Sequence, residues 1–201
     1  MANRAIFLDR DGVITANVYY ERWGEWEAPM TPDDAVILPG AVDAMLMLRR
    51  AGFHLFIVSN QGASAKGKVP LATLASTIKH VEGVLVKEGV EITESYYSFT
   101  HPRGTAEYFS GASLERKPSP YFLLVAAAKY AIDLPGSWMI GDRDTDVLCG
   151  QSAGCKTVQI EEVHGRIADG NNYETNPDYR AESLYDASRI ILGMTSRGGH
   201  A

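Results

Sequence analysis

Apolar and polar positions along this chain follow two rhythms. Short apolar or β-rich runs bounded by turn residues recur at Ala5–Leu8, His54–Val58, Ile92–Ser98, Trp138–Ile140 and Thr157–Ile160. They predict strands, most of them buried on both faces. Between them stand segments of helical period: Ala41–Ala51 closed by Gly52, Pro70–Glu88 with a proline in its first turn, a helix opened by Ser119-Pro120 and running to Tyr130, a short one over Asp146–Ala153, and Leu184–Leu192. Tyr179–Ala181 predicts a last short strand before that final helix. Residues 15–39, 99–116 and 161–177 carry the turn-forming composition of loops. Alternation of this kind predicts an α/β fold of three layers, a mainly parallel Rossmann-like sheet between helices. No repeat or low-complexity linker interrupts it, so one domain over 1–195 with a tail at 196–201 is expected.

Composition narrows the function classes. The chain has 201 residues, enough for one substantial core. Its net charge of −6 argues against a general nucleic-acid or membrane-surface binder, which would need basic patches. Two cysteines, Cys149 and Cys155, are too few for a disulfide framework and are expected to be buried thiols. No apolar stretch reaches the length of a membrane span, and no signal peptide precedes the first strand, so a cytoplasmic protein is expected.

The strand ends carry the chemistry. Asp9 and Asp11 follow the first strand, with Gly12 as a turn residue. Ser59 and Asn60 follow the second, Arg116 and Lys117 stand before the helix of 119–130, and Asp142 follows the fourth strand with Asp146 one helical turn on. Ligands of open α/β sheets bind at this edge. Two carboxylates so close call for a cation, and a hard ion such as Mg²⁺ takes oxygen ligands. The set suits phosphoryl transfer: a carboxylate to attack phosphorus, a second to move the proton, and hydroxyl and ammonium groups to hold phosphate oxygens.

Phe7-Leu8-Asp9-Arg10-Asp11-Gly12, Val58-Ser59-Asn60-Gln61, Arg116-Lys117-Pro118 and Gly141-Asp142-Arg143-Asp144-Thr145-Asp146 stand in order over most of the chain. In these four motifs the sequence resembles the haloacid dehalogenase (HAD) superfamily of phosphatases. The resemblance implies Asp9 as nucleophile and Asp11 as general acid/base, with Ser59 and Lys117 on the transferring phosphate. It also implies Mg²⁺ on the Asp9 carboxylate, the Asp11 backbone carbonyl and Asp142, with Asp146 orienting that site. Asn60, beside Ser59, is a further candidate phosphate or substrate contact. Asp-Arg-Asp-Gly, Ser-Asn-Gln and Arg-Lys-Pro are similar to the heptose-bisphosphate and histidinol-phosphate phosphatase group, which implies a substrate contact for Arg116.

That group also carries a structural zinc, and here the matching positions are Ser98, Thr100, Ser113 and Glu115. None is a good zinc ligand and His101 cannot replace all four, so no zinc is expected. The loop is then expected to be held by packing through Phe99, Tyr108 and Phe109. No segment is long enough for a large cap domain, so loops 15–39 and 99–115 are expected to flank the site. Tyr19, Tyr20, Trp23 and Trp26 stack on substrate or pack the first loop; Asn17, Arg22 and Arg103 are weaker candidate contacts, and His101 is a loop histidine or a substrate contact.

The leading expectation is a Mg²⁺-dependent phosphomonoesterase acting through an aspartyl-phosphate on a small phosphorylated metabolite, such as a heptose bisphosphate. Histidinol phosphate, a nucleotide or a phosphoprotein are alternative substrates, and a non-catalytic binding protein of the same fold is the alternative of another class. A monomer or small homo-oligomer is expected, with no nucleic-acid or membrane partner.

Overall fold

The computed structural model describes residues 2–107, 109–161, 165 and 173–197. In chain order it holds β1 (Arg4–Leu8), β2 (Val18–Tyr20), β3 (Glu25–Glu27), a 3₁₀ turn at Pro32–Asp34, α1 (Ala41–Arg50), β4 (Phe53–Asn60), α2 (Leu71–Lys87) and β5 (Glu94–Ser98). There follow α3 (Tyr121–Tyr130), β6 (Trp138–Gly141), α4 (Asp144–Ala153), β7 (Lys156–Ile160), β8 (Tyr179–Ala181) and α5 (Leu184–Arg197). Six strands form one sheet in the order β5-β4-β1-β6-β7-β8, and every pairing in it is parallel. The chain runs outward from β1 through β4 to β5, then returns to lay β6 on the other side of β1. Open α/β sheets bind ligands at such a reversal, which points to the carboxyl ends of β1, β4 and β6.

Both faces of the sheet are covered, which is why its strands read as apolar runs rather than as alternation. Ile6, Leu8, Leu55, Ile57 and Ile140 pack on one side with Met45 and Leu48 of α1 and Ile191 of α5. Phe7, Phe56 and Met139 pack on the other with Leu123 of α3 and Cys149 of α4. Phe7 and Phe56 stack with ring centroids 5.2 Å apart. Full burial of one such side chain contributes about 1.5–3 kcal/mol. Cys149 and Cys155 are buried and free, and no described helix is long and apolar enough to cross a membrane.

Several boundaries differ from the expectation. Residues 15–39 are not all loop: β2 and β3 pair antiparallel, with Tyr19 opposite Trp26, and a 3₁₀ turn follows. Three-residue strands are too short to show a period, and cross-strand aromatic contact supplies what pattern lacks. β4 reaches Asn60, so Ser59 and Asn60 are the last strand residues. Pro120, not Ser119, occupies the cap position of α3, although Ser119 Oγ still accepts from the Tyr121 N–H at 3.3 Å. α4 begins at Asp144 and α5 extends to Arg197, into the segment expected to be tail; residues 198–201, like Tyr108, lie outside the described residues.

Candidate active site

Asp9 leaves β1 with its N–H donated to Ile140 O at 2.9 Å, which ties the turn to β6. Asp9 Oδ1 accepts from the Arg10 N–H at 2.8 Å and lies 2.9 Å from Lys117 Nζ. Lys117 is buried and comes from the far side of the site. Its ammonium also lies 2.6 Å from Asp146 Oδ1 and donates to Val58 O at 2.6 Å. Asn60 holds the main chain of that lysine from both sides, accepting from Lys117 N and donating to Lys117 O, each at 3.0 Å. One bond at each end of its amide ties Asn60 to the Lys117 backbone, and Asn60 also lines the cavity described below.

Asp142, Asp146 and Asp9 each bring a carboxylate oxygen within 4.8 Å of the others. Arg143 Nη2 lies 3.9 Å from Asp9 Oδ2, and its Nε lies 3.8 Å from Asp142 Oδ1. Asp146 Oδ2 accepts the Arg143 N–H at 3.1 Å and so starts α4. Three buried carboxylates thus face two cationic side chains. Asp9 Oδ2 and Asp142 Oδ1 are buried without a hydrogen-bond partner.

The electrostatics follow this imbalance. Burial opposes ionisation of Asp9, but Lys117 and Arg143 outweigh it and hold its carboxyl below the ordinary value. Burial pushes Asp142 well above its ordinary value, with Asp9 and Asp146 adding to the push against Arg143. Asp146 is raised too, by burial first, against the pull of Lys117. Burial likewise disfavours the Lys117 ammonium, and Asp146 and Asp9 reverse that and raise it. Of the three, Asp9 is the one whose charge the site favours, and the oxygens of Asp142 and Asp9 are short of a cation.

Two glycines make room for these carboxylates. Gly12 has φ +81°, and a Cβ there would lie 2.2 Å from Asp142 Oδ2. A Cβ on Gly141 would lie 2.2 Å from Asp146 Cβ. Gly12→Ala is therefore expected to displace Asp142 and to cost about 1–3 kcal/mol of stability. Denaturant unfolding checks this, and an unchanged midpoint would contradict it.

Asp11 is buried beside Asp9, with Ser59 Oγ 3.4 Å from its Oδ2. A narrow cavity opens next to this pair, lined by Glu27, Gln61, Lys66, His101, Arg116 and Arg143 among others. Glu27 at the end of the β2–β3 hairpin forms part of its wall. Lys66 pairs with Glu27, and Lys68 pairs with Glu25 and, at 2.6 Å, with Glu27. The hairpin aromatics pack on one another, Tyr19 with Trp26 at 5.5 Å and Tyr20 with Trp23 at 5.7 Å. Of the weaker candidates, Asn17 donates to Gly165 O at 2.9 Å and lines a second cavity with Gly12 and Asp142, while Arg22 lies over Trp23. Arg103 is exposed, while Arg116 lines the cavity and donates to Thr100 O at 2.9 Å.

Residues 114–187 match the model of the HAD-hydrolase-like family. The chain is 29 % identical to the D-glycero-D-manno-heptose-1,7-bisphosphate 7-phosphatase of Chlorobaculum tepidum, over 96 % of this chain and 98 % of that protein. It is 33 % identical to the D-glycero-beta-D-manno-heptose-1,7-bisphosphate 7-phosphatase of Escherichia coli K12, over 93 % of each. The chain belongs to the HAD-type phosphatases. As a HAD-type phosphatase it is a phosphoric monoester hydrolase. Its fold matches the crystal structure of D,D-heptose 1,7-bisphosphate phosphatase from B. bronchiseptica complexed with magnesium and phosphate. The TM-score is 0.74 at 25 % identity, over 95 % of this chain and 99 % of that one.

In the 99–116 loop Phe99 packs on Tyr97 with ring centroids 6.4 Å apart. Backbone bonds add to this: His101 N to Phe109 O at 3.0 Å, Gly111 N to His101 O at 3.2 Å, and Thr105 N to Ala65 O at 2.8 Å. The positions matching zinc ligands do not fit that metal. Ser98 and Thr100 share a hydroxyl hydrogen bond at 3.1 Å, and Ser113 Oγ accepts from the Glu115 N–H at 3.1 Å. His101 Nδ1 accepts from the Arg103 N–H at 3.1 Å. Burial and the nearby Arg116, Lys66 and Arg103 push His101 down to about 4, so it stays neutral and serves the loop. The HAD-type site also holds groups that the sequence reading left without roles: Arg10, Thr15, Gln61 and Arg143. Arg10, Gln61 and Arg143 stood inside quoted motifs, which was the available signal.

Proposed function

We propose that this phosphatase hydrolyses a sugar bisphosphate of the heptose type with Mg²⁺, with Asp9 as nucleophile and Asp11 as general acid and base. The pair of orphaned oxygens on Asp9 and Asp142 carries the reading: a buried, hard-oxygen site short of positive charge suits Mg²⁺. Asp9 and Asp142, with the Asp11 carbonyl, would hold the ion. When bound, it neutralises the repulsion between the Asp9 carboxylate and the phosphate.

The protein's own groups supply the rest. Asp9 Oδ1 is already engaged by Lys117 and the Arg10 N–H, which leaves Oδ2 for attack or for the metal. Lys117 and Ser59 stabilise charge on the phosphate oxygens. Asn60 fixes the Lys117 backbone so that the ammonium stays in place. Asp11 delivers a proton to the leaving oxygen and later takes one from water. Arg116, on the wall of the adjoining cavity, contacts the leaving group. The heptose substrate is carried by the similarity to relatives of that name across almost the whole chain.

A panel of heptose bisphosphate, heptose monophosphate, histidinol phosphate, nucleotides and phosphopeptides, each with magnesium and with chelator, tests this. Heptose bisphosphate is expected to show kcat/KM at least about tenfold above the others, a difference of about 1.4 kcal/mol. Turnover undiminished by chelator would contradict the metal assignment. Preference for another substrate class would contradict the substrate. Magnesium is also expected to raise the melting temperature, since ligand at 100 times Kd adds about 2.7 kcal/mol.

A further inference from the structure

Asp11 is held in a ring of hydrogen bonds that the roles above do not use. Arg10 Nε donates to Asp11 Oδ1 at 2.8 Å, Arg10 Nη2 donates to Gln61 Oε1 at 2.9 Å, and Gln61 Nε2 donates to Asp11 Oδ2 at 2.5 Å. The ring fixes the Gln61 amide: its oxygen must face the guanidinium, so its nitrogen faces the carboxylate. Arg10 and Gln61 are 0 % and 1 % exposed. A fully buried guanidinium is a costly placement, tolerated where its partners are fixed.

The two carboxylate oxygens are not equivalent. A carboxylate has about four lone-pair positions, two on each oxygen. On Oδ1 both are taken, by Arg10 Nε and by Thr15 Oγ1 at 3.0 Å. On Oδ2 Gln61 takes one, and the other meets only Ser59 Oγ at 3.4 Å. With Ser59 serving the phosphate, as proposed above, that position is left open.

We propose that Arg10 and Gln61 are a positioning pair that locks Asp11 through Oδ1 and leaves Oδ2 as the oxygen that carries the catalytic proton. This rests on the reading of Asp11 as general acid and base. In the first half-reaction the Asp9 oxygen bonds to phosphorus, the bond from phosphorus to the leaving oxygen breaks, and the Oδ2 proton passes to that oxygen. The carboxylate so formed is met by the donors of the ring. In the second half-reaction Oδ2 takes a proton from water as the water oxygen bonds to phosphorus and the bond to Asp9 breaks. Lysine cannot replace Arg10, because a single ammonium does not reach Asp11 and Gln61 with a rigid fork.

Leaving-group chemistry tests the assignment. An alkyl phosphate needs its leaving oxygen protonated, whereas dinitrophenyl phosphate expels a stable phenolate without a proton. Gln61 Nε2 also donates to Ser59 Oγ at 2.9 Å, so phosphate binding will change for both substrates, and the ratio of their single-turnover rates cancels that shared part. Gln61→Met and Arg10→Lys are each expected to lower the alkyl-to-dinitrophenyl rate ratio about 10²-fold, the order lost when a catalytic group is misplaced by an ångström. Asp11→Asn provides the reference and should lower the ratio further. An unchanged ratio in Gln61→Met and Arg10→Lys, with a lowered ratio in Asp11→Asn, overturns the positioning pair alone. An unchanged ratio in Asp11→Asn overturns the general-acid reading and the inference with it. If Arg10→Lys does not fold, Gln61→Met decides the matter by itself.

Discussion

Asp9→Asn is expected to lose at least about 10⁴-fold in turnover while keeping its fold, the scale seen when a nucleophile is removed from a working site. An amide in place of the carboxylate still offers an oxygen to Lys117 Nζ and to the Arg10 N–H, so the local bonds survive. It cannot attack phosphorus to give a stable acyl phosphate. The stability change has two opposing parts. Asp9 has a lowered value in the folded state, so its charge stabilises the fold above its ordinary value of 3.8 and ceases to do so as pH falls. Against that, neutralising Asp9 relieves its repulsion of Asp142 and Asp146, both of which are held raised. Thermal melting in chelator should therefore differ little between wild type and Asp9→Asn. Activity near wild type would remove Asp9 from the role of nucleophile, and a collapsed melting curve would mean that the carboxylate is chiefly structural.

Lys117→Met is expected to damage stability as well as rate. It removes the cation shared by Asp9 and Asp146 and leaves buried carboxylates uncompensated, a loss of about 3–5 kcal/mol. The rate should fall about 10²–10³-fold, the order of one lost donor to a developing oxyanion. The pH dependence gives the cause a signature. Lys117 is raised in the folded state, so its stabilisation is fully present below its ordinary value of 10.5 and is lost only as pH rises through the folded value. In Lys117→Met the penalty lies in the ionised carboxylates, and it shrinks as they take up protons toward about pH 4. Denaturant unfolding of both proteins in chelator, from neutral to acid pH, should show the gap close. A gap that does not change with pH would place the loss in packing.

The strand ends were the most legible part of the molecule. β1, β4 and β6 are buried on both faces, so their apolar runs mark them without ambiguity, and the topology brings Asp9, Ser59, Lys117 and Asp142 to one edge. What could not be read depends on contacts between distant residues. Asn60 was named only as a candidate contact, and the clasp of its amide on the Lys117 backbone 57 residues away was not legible. Arg10 reads as a surface residue by type, and its burial rests on the adjacent Asp11 carboxylate together with Gln61, 51 residues on. The β2–β3 hairpin has no sequence period to detect, and Lys68 meets Glu27 across 41 residues. Local pattern predicts elements and their ends; it does not predict which polar side chain spans the gap between two ends.

The central claim is that a phosphoryl group passes through the Asp9 carboxylate. Rapid quench of Asp11→Asn, mixed with magnesium and dinitrophenyl phosphate, followed by borohydride reduction and peptide mass spectrometry, tests it most directly. The account predicts homoserine at position 9, the reduction product of an aspartyl-phosphate, formed only when substrate is present. A quenched enzyme that has released dinitrophenol, yet carries no modification at Asp9 or carries it on another residue, would contradict it.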